Sequence, residues 1–313
     1  MTALLAEVVR SGYVEGTHYG SVIALRSDGS VALALGSMDR PIFPRSSNKP
    51  LQVTGLLAAG WTGTPEQIAI ACSSHDGEPA HLEVVRSILG DLELQTPPQR
   101  PISERAWLDI VRAGGGPTPL TMTCSGKHAA MLRTAAVNGW STHDYLDVAH
   151  PMQRACLSSV EQLAGEHVAH VAVDGCGAPQ HGLTLPALAR AYGRLVTGPT
   201  TVVADAMRAH PWLVGGTGRD VTRLMEGIPG LVAKDGWEGV YAVALPDGAA
   251  VALKISDGAE RARTPVLVAA LRALGVQAPV LEELSTTPVH GGLHVVGEVR
   301  VAGALAEVSN GPS

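Results

Sequence analysis

The sequence predicts an α+β fold, in which an antiparallel β-sheet is formed by strands from both ends of the chain. Alternating apolar residues fill the first 36 positions and return near residue 230, while the middle of the chain has helical apolar spacing. Because strands bracket the helices instead of alternating with them, we expect one sheet of N- and C-terminal strands, packed with helices. A helical lobe is expected within roughly residues 60–225, and the 313 residues are expected to form a single domain.

The strands are predicted mainly as two hairpins. The first is SVIALRSDGSVALALG, two alternating runs around Asp28-Gly29, and an Asp-Gly pair favours a tight turn between antiparallel strands. The second is GVYAVALPDGAAVALKISDG, which turns at Asp247-Gly248. A short buried strand is also predicted at HVAVDG, residues 170–175.

The first helix is predicted from about Ser47 to Ala59. The next begins in TPEQIAIAC, where Thr64 is the N-cap, Pro65 occupies the first helical position and Gln67 closes a capping box. Further helical patterns are AHLEVVRSIL, KHAAMLRTAAV, HPMQRACLSSVEQLAG, LPALARAYGRLV, TTVVADAMRA and the closing TPVLVAALRALG. The sequence after about residue 275 contains no motif that predicts a function.

The composition limits the partners and the compartment. The formal net charge of -6 has no clustered run of either sign, so neither nucleic acid nor an anionic membrane is expected as a partner. No apolar stretch approaches the roughly 20 residues of a membrane span, and the N-terminus lacks the basic start of a signal peptide. We therefore expect a cytoplasmic protein whose four cysteines are reduced.

The segment PRSSNKPLQ, residues 44–52, contains a candidate nucleophile. If a helix begins near Ser46, then Ser46 and Lys49 share one face, whereas Ser47 points away from Lys49. Free N–H groups at a helix start can stabilise an oxyanion, and a lysine whose pKa is lowered can deprotonate a serine. The same residues also fit an ordinary helix start with a capping serine and a solvated lysine.

The segment CSSHDGEPAH, residues 72–81, concentrates polar side chains where a helix ends, which is typical of the wall of a site. His75, Glu78 and His81 could also be metal ligands. The glycine and the proline between them argue against helical ligand spacing, and hydrogen-bonded scaffold is the alternative.

Three later segments hold cysteines and lysines. TCSGKHAAML places Cys124, Lys127 and His128 at a helix start, where the pKa of a thiol is lowered. VDGCGAPQH places Cys176 in a glycine-rich turn after a strand. VAKDGWEG places Lys234 two residues before a glycine, similar to the Lys-Thr-Gly box of serine β-lactamases. Each segment alone is equally compatible with an ordinary turn.

In this order the segments resemble the asparaginase II-type amidohydrolases, the Rhizobium-type L-asparaginases. The motifs that carry the resemblance, over roughly residues 15–260, are RSSNKP, CSSHDGEP, CSGKHAAML, DGCGAP, AMRAHPWLVGGTGR and KDGWEG. The resemblance implies a single catalytic domain similar in fold to serine β-lactamases and glutaminases. It also implies a homodimer that hydrolyses L-asparagine to L-aspartate and ammonia.

The resemblance further implies a role for individual residues. Ser46 is the implied nucleophile with Lys49 as its partner, and Ser74 is the implied second serine with Lys234 as its partner. The residues implied in substrate binding are Arg45, His128 and Asp174. The residues implied in a zinc site are Cys124, Lys127 and Cys176.

Several alternatives stay open at this point. Ser74 instead of Ser46 could be the acylated serine, and Trp237 could narrow the pocket and change the substrate. The substrate could be glutamine, another amide or a β-lactam. The enzyme could instead use zinc-bound water, or the chain could bind an amino acid without turning it over.

Overall fold

The computed structural model describes residues 1–199 and 201–309. The strands are β1 (Ala3–Arg10), β2 (Tyr13–Leu25), β3 (Val31–Leu35), β4 (Val171–Val173), β5 (Pro179–His181), β6 (Val232–Gly236), β7 (Val240–Ala244), β8 (Ala250–Ile255), β9 (Thr287–Gly291) and β10 (His294–Val301). The helices are α1 (Lys49–Ala58), α2 (Pro65–Ala71), α3 (Pro79–Leu89), α4 (Glu104–Arg112), α5 (Ser125–Val137), α6 (Pro151–Ala164), α7 (Leu185–Thr197), α8 (Val202–Ala209), α9 (Pro211–Val214), α10 (Asp220–Gly227), α11 (Glu260–Ala273), α12 (Pro279–Glu283) and α13 (Ala304–Ser309).

The first of two compact units contains the large antiparallel sheet. It comprises residues 1–47, 183–197 and those from 223 onward. The strand order is β6-β7-β8-β2-β1-β10-β9, and β3 also pairs with β2. Strands from the two chain ends are neighbours, since Val8 pairs with Val299 and Val22 with Leu253. The predicted α+β class, with one antiparallel sheet built from N- and C-terminal strands, is confirmed.

Helices α7 and α11 pack against this sheet within the first unit. Every residue of β6 and β7 is buried, so this end of the sheet belongs to the core. The hairpin of β9 and β10 has no counterpart among the predicted elements. Most of its residues are exposed or half-buried, and without a regular apolar alternation a half-solvated edge strand gives little signal.

The second unit is mostly helical and comprises residues 48–182 and 198–222. Its helix α1 packs on α6, where an added Cβ at Gly55 would lie 2.6 Å from the carbonyl oxygen of Ala155. Helix α5 is central, since nearly all of its residues are buried, and it packs against α2 and α3. This unit positions Lys49, which is the first residue of α1.

The sequence predicted the local structure correctly where turn residues or helix-capping residues specify it. Both predicted hairpins form, and α2 begins with the predicted capping box between Thr64 and Gln67. A strand forms within residues 170–175 as predicted, but the prediction that it is buried is wrong. Among the residues that the structure describes, strand β4 pairs only with β5, and Val171 and Val173 are 36% and 79% exposed. No helix among the described residues is long and apolar enough to cross a membrane.

The close approach of α1 and α6 predicts a specific stability loss. In Gly55→Ala the new methyl group would meet the backbone of Ala155 and Cys156. We expect the free energy of unfolding to fall by about 1–3 kcal/mol, as is typical of overpacked sites. The measurement is urea denaturation. Gly116→Ala is the control, because an added Cβ there meets nothing within 4 Å, and equal stability of the two variants would contradict the prediction.

Candidate active site

The turn that carries Ser46 is a 3-10 turn from Arg45 to Asn48, directly before α1. Ser47 is fully buried, and its hydroxyl donates to the carbonyl of Pro44 at 2.7 Å. The Ser47 carbonyl accepts a hydrogen bond of 2.7 Å from the hydroxyl of Tyr192. Ser47 therefore holds the turn together, while Ser46 is only half-buried. Arg45 has a φ of 54°, the left-handed backbone that non-glycine residues adopt mainly where the surrounding structure enforces it.

Strand β6 places Lys234 in the same unit as the Ser46 turn. A Cβ at Gly236 would lie 2.5 Å from the carbonyl oxygen of Pro44, so the glycine allows the strand to approach the turn closely. Lys234 is fully buried, and its Nζ forms an ion pair with the Asp235 carboxylate. The same carboxylate lies 3.7 Å from the guanidinium of Arg263. The lysine of the Lys-x-Gly segment is thus part of a buried ionic cluster.

Lys49 and Ser74 are in contact within the second unit. Lys49 is 2% exposed, and its Nζ donates to Ser74 Oγ at 3.1 Å and also to the carbonyl of Ser73. The Ser73 hydroxyl is used elsewhere, because it donates to the carbonyl of Ile70 at 2.7 Å. Burial lowers the pKa of Lys49, and the positive charge of Lys127 lowers it further. A larger fraction of neutral amine is therefore available than for an exposed lysine.

The chain after Ser74 is fixed by hydrogen bonds to neighbouring segments. The N–H of Ser74 donates to the carbonyl of Val214 at 3.1 Å, and the N–H of His75 donates to that of Thr123 at 3.0 Å. His75 Nδ1 accepts from the N–H of Gly77 at 3.1 Å, so its Nε2 carries the proton and donates to Ser125 Oγ at 2.8 Å. Burial lowers the pKa of His75 well below its ordinary value.

The histidines of this segment are scaffold in the structure. His81 lies between two aromatic rings, with ring centroids 5.4 Å from His75 and 4.0 Å from Trp212. Its Nε2 contacts the carbonyl of Trp212 at 3.1 Å. Glu78 accepts a hydrogen bond from the N–H of Thr217. The metal alternative for His75, Glu78 and His81 therefore receives no support from these contacts.

The ion pair between Asp76 and Arg219 was not predicted from the sequence. Arg219 Nη1 lies 2.8 Å from Asp76 Oδ1, and Asp76 is buried. Gly216 leaves room for this carboxylate, because a Cβ there would overlap Asp76. Both partners lie in recognised motifs, CSSHDGEP and AMRAHPWLVGGTGR. A single sequence contains no signal that pairs two residues so far apart in the chain.

The second unit also brings together the residues predicted for zinc. One ligand atom each from Cys124, His128 and Cys176 lies within 4.8 Å of the others. Lys127 Nζ contacts Cys176 Sγ at 3.2 Å. The half-buried Asp174 is close, with its Oδ2 3.8 Å from the same sulfur. A hydrogen bond from Cys124 and the nearby Lys127 lower the pKa of the Cys176 thiol, which favours a thiolate there.

The structure clusters the predicted zinc residues with His128, which was expected to bind substrate. It also joins Lys49 to Ser74, a pairing that was not among the predicted ones. The expected partnerships of Ser46 with Lys49 and of Ser74 with Lys234 stay predictions. Arg45 and Asp174 likewise stay predicted substrate-binding residues.

Comparison with known proteins identifies the class of enzyme and the family to which this chain belongs. The family model described as L-asparaginase II matches residues 6–301, nearly the whole chain. The chain is therefore a hydrolase of the asparaginase type, acting on amides. It belongs to the L-asparaginase II family. No curated protein matches the chain.

Solved structures with weaker similarity are β-lactamase-like. A β-lactamase from Mycobacterium bovis is 13% identical with a TM-score of 0.41, over 77% of this chain and 88% of that one. A candidate β-lactamase from Bacteroides dorei is 16% identical with a TM-score of 0.45, over 82% of this chain and 94% of that one. At these TM-scores the likeness supports no conclusion about activity.

The hydrogen bonds of His75 predict a neutral ring. We expect the neutral Nε2–H tautomer to persist as the pH falls through the usual histidine value of about 6.5, because burial lowers the pKa of His75 well below it. The unfolded chain binds the extra proton first, so stability decreases as the pH falls below about 6.5. Comparison of the imidazole 15N chemical shifts of wild type and His75→Gln assigns the His75 signal, which is then followed as a function of pH. A His75 ring that titrates near pH 6.5 would contradict this prediction.

Proposed function

We propose that the protein hydrolyses the side-chain amide of L-asparagine to L-aspartate and ammonia through a serine ester. The observation that carries this proposal is the buried hydrogen bond between Lys49 Nζ and Ser74 Oγ in a chain of this family. A serine whose hydroxyl lies within hydrogen-bond reach of a lysine with a lowered pKa is an activated hydroxyl. The bond therefore supports lysine-assisted acyl transfer to a hydroxyl.

The contacts of Lys49 suit proton transfer. One N–H of the amine is directed at the Ser73 carbonyl, which fixes the position of Nζ. A second contact joins Nζ to Ser74 Oγ, so a proton can pass between the hydroxyl and the neutral amine. Burial favours this neutral form.

The proposed chemistry balances as an acyl transfer. A serine Oγ forms a bond to the amide carbon and loses its proton to a lysine, and the C–N bond then breaks as that proton reaches the nitrogen. Ammonia leaves, and water hydrolyses the resulting ester to free aspartate and serine. By family resemblance Ser46 makes the bond and Ser74 carries the proton. The Lys49–Ser74 contact also supports the alternative in which Ser74 itself attacks.

Charged groups are proposed to hold the substrate. Arg45 is the proposed partner of the substrate carboxylate, because a guanidinium can make two parallel hydrogen bonds to it. Lys234 is proposed as the partner of Ser74, as the family resemblance implies. Its ion pair with Asp235 supports an electrostatic contribution from a charged ammonium more than a role as a neutral base.

Zinc is the proposed metal, and the residues present fit it. Two thiols and two nitrogen-bearing side chains form the cluster, and sulfur and nitrogen are the donors that zinc prefers in proteins. Cys124, Lys127 and Cys176 would hold it. When bound, zinc would supply a fixed positive charge that orders this part of the site, while the nucleophile comes from serine. A homodimer stays a prediction.

Substrate choice is tested by ammonia release. We expect the highest kcat/KM with L-asparagine, a lower value with L-glutamine, and no hydrolysis of a chromogenic β-lactam. Turnover of the β-lactam with no release of ammonia from asparagine would support the β-lactam alternative. If L-asparagine raises the thermal stability of the protein but is not turned over, the protein is a binding protein and the proposal is contradicted.

Removing the catalytic side chains should abolish turnover. We expect Ser46→Ala, Ser74→Ala and Lys49→Met each to lower kcat for asparagine by about 100-fold or more, the usual contribution of a general base or nucleophile. Ser73→Ala is the matched control. It removes only the hydroxyl bonded to Ile70 and keeps the carbonyl that contacts Lys49, so most activity should remain. Persistent activity in Ser46→Ala and Ser74→Ala, lost on chelation, would favour zinc-bound water.

The acylated serine is identified by trapping. An electrophilic asparagine analogue is incubated with wild type, and the labelled peptide is mapped by mass spectrometry. We expect the label on Ser46. Label on Ser74 but not on Ser46 would reassign the nucleophile while keeping the Lys49–Ser74 pair as its activating group.

The pH dependence of kcat/KM should follow the protonation of the Lys49 amine. Its amine must be neutral to accept a proton. Burial lowers the pKa of this amine below the ordinary lysine value of about 10.4, so the neutral form is present at lower pH than for an exposed lysine. We therefore expect kcat/KM to rise with pH, with the midpoint of the rise below the ordinary lysine value. A rise that is unchanged in the residual activity of Lys49→Met would assign the pH dependence to another group.

A further inference from the structure

Arg45 has a backbone conformation that its local structure does not require. Among the described residues, three that are not glycine have a positive φ, and two of them, Ser11 and Glu238, lie in tight turns between paired strands. Such turns favour the left-handed backbone. Arg45, with a φ of 54°, lies instead in the turn that leads into α1. A strained residue of this kind persists only where its surroundings hold it, and it is typical of functional sites.

Ser46 follows Arg45 directly, and the residues on either side of this pair are bonded to each other. The Pro44 carbonyl accepts hydrogen bonds from the N–H of Ser47 at 3.2 Å and from its hydroxyl at 2.7 Å. Pro44 and Ser47 are buried, whereas Arg45 and Ser46 between them are half-buried. The turn is therefore closed at its base and presents Ser46 at its tip, so the shape of the turn decides the position of the Ser46 hydroxyl.

Helix α7 holds the end of this turn through a tyrosine. Tyr192 is fully buried, and its hydroxyl donates to the Ser47 carbonyl at 2.7 Å. The chain before α7 is also fixed to the chain before the turn, because Ile42 and Leu183 exchange two backbone hydrogen bonds of 2.8 and 3.0 Å. The Tyr192 bond fixes the orientation of the Ser47 carbonyl, and it thereby specifies one form of the turn.

Strand β6 packs against the beginning of the same turn. A Cβ at Gly236 would lie 2.5 Å from the Pro44 carbonyl oxygen and 3.4 Å from the Ser47 nitrogen. Only a glycine therefore allows this approach. The carbonyl of Gly236 is itself held from α11, because the buried Arg263 donates to it at 3.1 Å. The strand and the turn are thus packed with no space for a methyl group between them.

We propose that Tyr192 and Gly236 are positioning residues for Ser46, because they hold its turn in the strained form that presents the hydroxyl for attack. This inference rests on the proposed function, in which Ser46 is the nucleophile. The strain at Arg45 explains why the turn needs both neighbours: without them it would relax to an ordinary backbone and displace the Ser46 hydroxyl. A sharp, strained turn before a helix presents the nucleophilic serine of α/β-hydrolases in a comparable way.

The test is the rate at which a fluorophosphonate labels Ser46, measured by mass spectrometry of the labelled peptide. This reagent reacts with activated serines and needs no asparagine. In Tyr192→Phe we expect the labelling of Ser46 to slow by about 10- to 100-fold, the range expected when a reacting atom is displaced by up to about 1 Å. The kcat for asparagine should fall by a similar factor while KM changes little, because the tyrosine is not proposed to touch the substrate.

Thr197→Val is the matched control. It removes a hydroxyl from the same helix, and that hydroxyl donates at 2.9 Å to the Gly193 carbonyl within the helix, so labelling should keep the wild-type rate. Gly236→Ala is a second, independent variant. Its methyl group would displace the turn, and we expect the same loss of labelling. Gly16→Ala is its control, because the nearest atom to an added Cβ there lies at an ordinary contact distance of 3.8 Å.

The outcomes separate positioning from support of the fold, and this inference from the proposed function. Variants that melt at a lower temperature but label Ser46 at the wild-type rate while folded would overturn the inference. A wild type in which the reagent does not label Ser46 would also overturn it, even if the protein releases ammonia from asparagine. Conversely, slower labelling of Ser46 in both variants of a protein that does not hydrolyse asparagine would uphold the inference and count against the proposed activity.

Discussion

The interaction on which the site depends is the burial of the Lys49 amine beside Ser74. An amine taken out of water favours its neutral form, and only a neutral amine can accept a proton from serine. The fold makes this burial possible by placing Lys49 at the first position of α1, which is held closely against α6 at Gly55. Ser73 and Ser74, which follow the end of α2, then supply both contacts of the amine.

The amine and the cysteine cluster share one electrostatic environment. Cys124 and Cys176 raise the pKa of Lys49, whereas burial and Lys127 lower it. A metal bound to the Cys176 thiolate would weaken the part of the field that favours the ammonium. The zinc proposed for this cluster would therefore act on the protonation of Lys49 without touching the substrate.

The sequence predicted the parts of the molecule in which local chemistry decides the structure. Asp-Gly turns specified two hairpins, and the capping box specified the start of α2. The exposed valines of β4 and the edge hairpin of β9 and β10 depend on which strands become neighbours, which local patterns do not encode. In the site, the residue types were recognised, but the contact of Lys49 with Ser74 and that of His128 with Tyr145 required the fold.

The central claim is that Lys49 is a usable base, and its most direct test is the titration of its amine. Lysine 15N NMR follows this titration, and comparison with Lys49→Met assigns the signal. The account predicts a midpoint below the ordinary lysine value of about 10.4. A Lys49 amine that titrates at or above that value would contradict the account, because its neutral form would then be no more available than that of a surface lysine.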